Sequence, residues 1–314
     1  MALRVLIACP HLQRELDQYA AVFRDRDIVI EAPPVSQQLS EEDLLGMIER
    51  FDGVVAGDDE FTSRVLARAT RLRVISKWGI GLDNIDLTAA RERGVVVMNT
   101  PGQLGIEVAE VALGYLVLLA RQLHRIDRAV RDGDWKQLRG STLAGKTLGI
   151  VGLGAAGRAL AVRAAALGMT IIAHDPYLDP PGAPMVPETK MAALDEVLAN
   201  ADYLSLHCPL TSDNHHMLDA EAFAVMKPGV SIINTARGAL IDEPALIKAL
   251  KDGQVRGAAL DVFEQEPLPV DSPLRALDQC ILGSHNCSNT SEAVARVNAL
   301  AVKNLLDGLL GARA

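Results

Sequence analysis

Residues 147–177 read TLGIVGLGAAGRALAVRAAALGMTIIAHDPY. An apolar run leads into Gly152, Gly154 and Gly157, spaced GxGxxG, and these open an alanine-rich helical pattern. The first glycine suits a tight turn, the second lets a backbone approach a pyrophosphate, and the third lets helix and strand pack. The helix N-terminus, entered through Ala155 and Ala156, then offers unpaired N–H groups and a positive dipole end to the anion. Asp175 ends the next apolar run, about 20 residues on, where a carboxylate can accept ribose hydroxyls. Pro176 and Tyr177 follow it rather than Arg or Lys, so a 2′-phosphate would meet a carboxylate without a cation. The stretch predicts a dinucleotide site, with NAD favoured over NADP.

The same alternation of strand and helix extends in both directions. RVLIA, IVIEA, DGVVAG, LRVISK and GVVVMN precede it; DYLSLH, VSIINT, VRGAALDV and CILGS follow. Segments such as FTSRVLARAT and DEPALIKALKDG lie between them with i, i+3, i+4 apolar spacing. Strand–helix alternation means βαβ units and parallel sheets, and near-continuous apolar strands mean sheets covered on both faces. The fold class is therefore α/β. The rhythm breaks at residues 106–135, one long helical pattern, and a boundary is placed near Pro101. A second crossing near Ser284 precedes the terminal helical pattern at 291–310. Residues 1–100 and 286–314 then form one discontinuous domain, with 101–285 inserted into it. A proline-rich loop spans 176–188.

The chain has 314 residues, 49% hydrophobic and 23% charged, with a formal net charge of −9. That length suits two domains. Aromatics are only 4%, so the core is aliphatic. The acidic balance, with no run of Lys or Arg, argues against nucleic acid or an anionic membrane surface as partner. VALGYLVLLA, between Glu110 and Arg121, is too short to span a bilayer and reads as a core helix. The N-terminus lacks the pattern of a signal peptide. Cys9, Cys208, Cys280 and Cys287 form no CxxC pair, which predicts no zinc site, no disulfide framework and a cytoplasmic location.

Three segments place polar residues at strand ends, where ligands bind in open α/β sheets: SIINTARGALIDEPAL, GAALDVFEQEPLP and CILGSHNCSNTSEA. Arg237 offers a planar fork that can hold a carboxylate. Glu266 could orient an imidazole and stabilise its protonated form, and His285 is a proton donor and acceptor suited to neutral pH.

With KWGIGLDNID, EVAEVALGYLVLLAR, LAGKTLGIVGLGAAG and HCPLT, these segments stand in the order seen in the NAD-dependent D-isomer-specific 2-hydroxyacid dehydrogenases, and the chain resembles that family over nearly its whole length. It especially resembles the family's phosphoglycerate dehydrogenase-like members. The resemblance implies a Rossmann cofactor domain inserted into a flavodoxin-like substrate domain, an active site in the cleft between them, and a homodimer formed through the helical segment after Pro101. It implies Arg237 for the substrate's carboxylate and carbonyl, His285 as acid/base and Glu266 as its partner, leaving Glu264 a surface carboxylate. Asp261 would bond the nicotinamide carboxamide, and His207, Pro209, Thr235 and Ala236 would line the cofactor. Gly79 and Ile80 would present backbone N–H groups to the substrate carboxylate. Where many members read Pro–His, this chain has Ser284 before His285, and Asn286 and Cys287 after it.

Lys77 reads either as a cation for a phosphate or second carboxylate, or as a plain surface lysine. Trp78 reads as core, Cys208 and Cys287 as buried fillers, and His215–His216 as a solvated loop whose side chains diverge. The function implied is interconversion of a small D-2-hydroxy acid and its 2-oxo acid, with 3-phosphoglycerate, hydroxypyruvate and glyoxylate as candidates. The alternative is an NAD(H)-sensing protein like the corepressors that resemble this family. Formate or phosphite oxidation is a third, weaker reading, because formate needs no Glu–His proton transfer.

Overall fold

The computed structural model describes residues 2–178, 186 and 188–311. Most of the proline-rich loop, at 179–185 and 187, lies outside the described residues. Two compact units partition the chain: Met1–Gln103 with Asn289–Ala314, and Leu104–Ser288.

In the first unit β1 (Leu3–Ile7), β2 (Ile28–Glu31), β3 (Gly53–Ala56), β4 (Val74–Lys77) and β5 (Val96–Met98) form a parallel sheet ordered β2-β1-β3-β4-β5. That is the flavodoxin-like order. Every residue of β3 and β4 is buried, which requires cover on both faces. The helix Ser291–Leu310 covers one face and buries Val297, Ala301, Val302, Leu305 and Leu309. Thr290 caps it by accepting the Ala293 N–H at 3.1 Å, and Ser76 Oγ, on β4, donates to Ala301 O at 2.7 Å.

The second unit holds β6 (Thr147–Val151), β7 (Thr170–His174), β8 (Thr189–Met191), β9 (Tyr203–Leu206), β10 (Val230–Asn234), β11 (Val255–Leu260) and β12 (Cys280–Leu282). All pair in parallel, in the order β12-β11-β10-β9-β6-β7-β8. This is the doubly wound Rossmann arrangement, whose order reverses between β6 and β9. β8 is absent from the strand expectations because three residues, TKM, carry no apolar run.

The long helical pattern at 106–135 is two helices, Gly105–Arg121 and Leu123–Arg131. Gln122 separates them with a left-handed φ of 54°, its amide donating to Arg139 O at 2.8 Å. Gly133, at φ 84°, follows the second helix, and residues 134–142 run without helix. A helical hydrophobic period cannot reveal one left-handed residue held by a partner seventeen positions away.

Candidate active site

The glycine turn has the geometry its spacing implies. Gly152 sits at φ 93°, and a Cβ on it would come within 2.5 Å of Cys208 N, so the turn needs glycine on both counts. Gly154 is the N-cap of the helix Ala155–Ala166; it provides no side-chain cap and has open space at its Cβ position. Leu153 N donates to Asp175 Oδ2 at 2.8 Å and Tyr177 N to Oδ1 at 2.9 Å, which holds the carboxylate against the turn. Pro209 follows Cys208 just beyond β9.

Two buried polar atoms near the same strand ends have no hydrogen-bond partner among the described residues: Thr235 Oγ1, directly after β10, and His207 Nδ1, directly after β9. Such groups cost free energy unless a ligand or water completes them. A backbone cradle, an uncapped helix start, a carboxylate and two orphaned atoms fit a dinucleotide. His207 Nε2 lies 2.8 Å from Ser205 Oγ, and burial pushes the imidazole down to about 4. It is neutral at pH 7.

Arg237, Glu266 and His285 all lie in this unit, each beyond the end of a sheet strand or its following loop. Asn234, wholly buried, shapes the Arg237 turn: its Nδ2 donates to Arg237 O at 2.8 Å and its Oδ1 accepts the Ala236 N–H at 3.0 Å. Glu266 is gripped from both sides. Its Oε1 accepts the Phe263 N–H at 2.9 Å and its Oε2 lies 2.7 Å from His285 Nδ1. His285 has a left-handed φ of 53° and donates its own N–H to Asp261 O at 2.7 Å. A non-glycine residue there costs of order 1–3 kcal/mol, and the surroundings hold it. With Nδ1 at Glu266, any proton this ring exchanged with a substrate would pass through Nε2.

Asp261 is buried; its Oδ2 accepts the Cys287 N–H at 2.8 Å, and its carboxylate also takes the Tyr115 hydroxyl. Burial pushes the Cys287 thiol up, and the Asp261 charge adds to this. The thiol is a packed neutral group.

Several expectations need correction. Lys77 is no surface lysine: it is buried, with Nζ donating to Asp58 Oδ1 at 2.9 Å and to Trp78 O at 3.0 Å. Two of the three ammonium donors thus brace its own loop. The Gly79 N–H is likewise engaged, by Thr100 Oγ1 at 2.9 Å, whereas Ile80 is exposed. Trp78, by contrast, is core as expected, donating Nε1 to Asn298 Oδ1 at 2.8 Å and stacking on His11. The His215 and His216 rings do not diverge; their centroids are 3.9 Å apart. Glu264 is exposed, in keeping with a surface carboxylate, and accepts the Glu243 N–H at 2.8 Å and lies 3.3 Å from His216 Nε2. Among the described residues no group of His, Cys, Asp and Glu could hold a metal ion.

Residues 113–287 match the model of the D-isomer specific 2-hydroxyacid dehydrogenase NAD binding domain. The chain is 39% identical over 280 residues to hydroxypyruvate reductase of Thermotoga maritima, covering 87% of this chain and 90% of that one. The chain belongs to the D-isomer specific 2-hydroxyacid dehydrogenase family. Its second unit is the family's NAD-binding domain. It is also 40% identical over 280 residues to D-3-phosphoglycerate dehydrogenase of Methanocaldococcus jannaschii, covering 88% of this chain and 53% of that one. It thus spans about half the length of that relative. Among solved structures, D-lactate dehydrogenase from Aquifex aeolicus, complexed with NAD and lactic acid, superposes with a TM-score of 0.86 at 27% identity, covering 98% and 96% of the two chains.

Within this family member, sequence reasoning missed the residues that support the site. Asn234 and Gly238 flank the assigned TARG residues, and their signal was position within that motif. Gly283 had weaker warning: a Cβ there would run into the Asp261 carboxylate and lie 2.7 Å from the Tyr115 hydroxyl. Tyr115 had no signal at all, because it meets Asp261 across 146 positions of chain.

Proposed function

We propose that this protein interconverts a small D-2-hydroxy acid and its 2-oxo acid with NAD as hydride carrier. The observation that carries the reading is the His285–Glu266 contact of 2.7 Å, in the same unit as Arg237 and the glycine turn. When bound, NAD supplies the hydride acceptor of oxidation and the donor of reduction. The glycine turn, Asp175, Thr235 and Ala236 would hold it, and the motif assigns Asp261 to its carboxamide end. Arg237 binds the substrate's carboxylate and carbonyl bidentately and polarises C2. His285 Nε2 gives a proton to the C2 oxygen in reduction and takes it back in oxidation. Glu266 aims the ring. The backbone N–H of Ile80 is proposed for the substrate carboxylate, since Thr100 takes the Gly79 N–H.

The test is NADH consumption with glyoxylate, hydroxypyruvate, 3-phosphohydroxypyruvate and pyruvate. Turnover with at least one of these, and preference for a non-phosphorylated acid given the burial of Lys77, is the expected result. Silence across the panel with NADH still bound would replace this reading by the nucleotide-sensing one.

The same proposal includes a homodimer in a reducing, cytoplasmic setting. Among the described residues no helix is long and apolar enough to cross a membrane, and the four cysteines are free. Trp135, 83% exposed, follows the helix Leu123–Arg131, which exposes Leu123 and Val130 as well. Exposed large apolar side chains on one segment suit an interface. Sedimentation should give twice the mass of the chain, and Trp135→Glu should shift it toward monomer. A monomeric wild type would sink this part.

A further inference from the structure

Asp261 directly follows β11 in the second unit and is 1% exposed. Its backbone is tied on both sides: its N–H donates to Asn234 O at 2.9 Å, and its carbonyl takes the His285 N–H at 2.7 Å. Asn234 in turn shapes the Arg237 turn. One residue therefore joins the turn that carries the arginine to the segment that carries the imidazole.

The side chain of Asp261 is held as firmly. Its Oδ2 accepts the Cys287 N–H at 2.8 Å, the Cys287 thiol donates to the same carboxylate, and the Tyr115 hydroxyl reaches it from the helix Gly105–Arg121. Burial pushes both the phenol and the thiol up, and the Asp261 charge pushes them further, so each keeps its proton at pH 7 and donates. Gly283, directly after β12, closes the other side. A Cβ there would lie 2.1 Å from Asp261 Oδ1 and 2.7 Å from the Tyr115 hydroxyl, so neither group has room to swing. An ionised carboxylate has about four acceptor positions, and these three donors leave about one.

A bland explanation is that a phenol turned into the core simply needs some partner. That accounts for one contact but not for the convergence. Donors from two separate elements, the helix Gly105–Arg121 and the segment after β12, meet on one carboxylate. A ring placed only to fill space needs no hydroxyl. The cluster also lies beside the arginine: the Arg237 charge reaches Cys287 and acts on its thiol against the larger effect of burial.

On the reading above that gives Asp261 to the carboxamide end of NAD, we propose that Tyr115 and Cys287 are positioning residues that lock the Asp261 carboxylate, so that its remaining acceptor position takes the carboxamide N–H and fixes the nicotinamide end of the cofactor. Neither side chain is given a proton to transfer or a substrate to bind; both act through Asp261.

The experiment is calorimetric titration of the full-length protein and its Tyr115→Phe variant with NADH and with ADP-ribose, which lacks the nicotinamide. The expected result is about a tenfold loss of NADH affinity, the value of one hydrogen bond to a charged group, with ADP-ribose affinity unchanged. Retained ADP-ribose binding also verifies that the variant is folded around its glycine turn. Cys287→Ala keeps the backbone N–H and loses only the weak thiol donor, so NADH affinity should fall about threefold, and Cys287→Ser should recover it. Equal losses for both ligands in Tyr115→Phe would make the tyrosine a packing residue and overturn the proposal. So would an unchanged affinity for NADH. If no oxo acid is turned over while the loss specific to NADH appears, the dehydrogenase reading fails and the role of Tyr115 stands.

Discussion

Replacing His285 with alanine should lower kcat by about 10²- to 10⁴-fold, the usual value of a positioned general acid. The substitution removes the ring that lies 2.7 Å from Glu266 Oε2. It leaves the glycine turn, Asp175 and Thr235 untouched, so NADH affinity by fluorescence titration should change little. That split is diagnostic: a residue that merely packs would move stability and cofactor binding along with turnover. Glu266→Gln should fall between wild type and His285→Ala, because the amide can still accept the Phe263 N–H, now 2.9 Å from Oε1, but no longer offers His285 a charge. His285→Gly should be as inactive as His285→Ala yet fold more stably than it, since glycine adopts a φ of 53° without strain. Retention of most turnover in His285→Ala would remove this residue from the mechanism.

Gly238→Ala should be the most damaging single methyl in the second unit. Gly238 has no need of a left-handed φ; its requirement is space, because a Cβ would overlap the Phe263 carbonyl group and the Glu264 amide. Those are backbone atoms and cannot rotate away. Relief requires the 263–266 segment to move off the Arg237 turn, and Phe263 N–H is what holds Glu266 in place. Overpacking of this kind costs about 1–3 kcal/mol, and displacement by about 1 Å costs on the order of 10² in rate. Urea denaturation and steady-state kinetics should therefore move together, with kcat/KM falling more than stability alone explains. If the variant keeps wild-type kinetics, Arg237 and Glu266 are not coupled through this contact.

The features legible in the sequence are those whose causes lie close together along the chain. The glycine turn, the helix it opens and the acid at the end of β7 fall within residues 147–177, so spacing alone predicts them. The apolar strand runs likewise located all but one strand, and the exception is a three-residue edge strand with no apolar pattern. The carboxylate and imidazole that meet in the site are only nineteen positions apart, and their residue types suggested the pairing before their distance was known.

Burial and close approach were not legible, because both depend on what other segments do in space. Lys77 reads as either a ligand-binding cation or a surface lysine until Asp58 and the Trp78 carbonyl enclose it. Gly79 reads as a donor until Thr100, twenty-one residues on, takes its N–H. Tyr115 reads as one more apolar position of a helix until Asp261 and Gly283 converge on its hydroxyl. Sequence alone determined the parallel α/β class and the dinucleotide turn and singled out candidates for the reacting side chains, because local hydrogen bonding, periodicity and chemical type are properties of short segments. Tertiary structure decided that Lys77 is enclosed and how the Arg237 turn is braced, because those follow from packing between segments that no local pattern encodes.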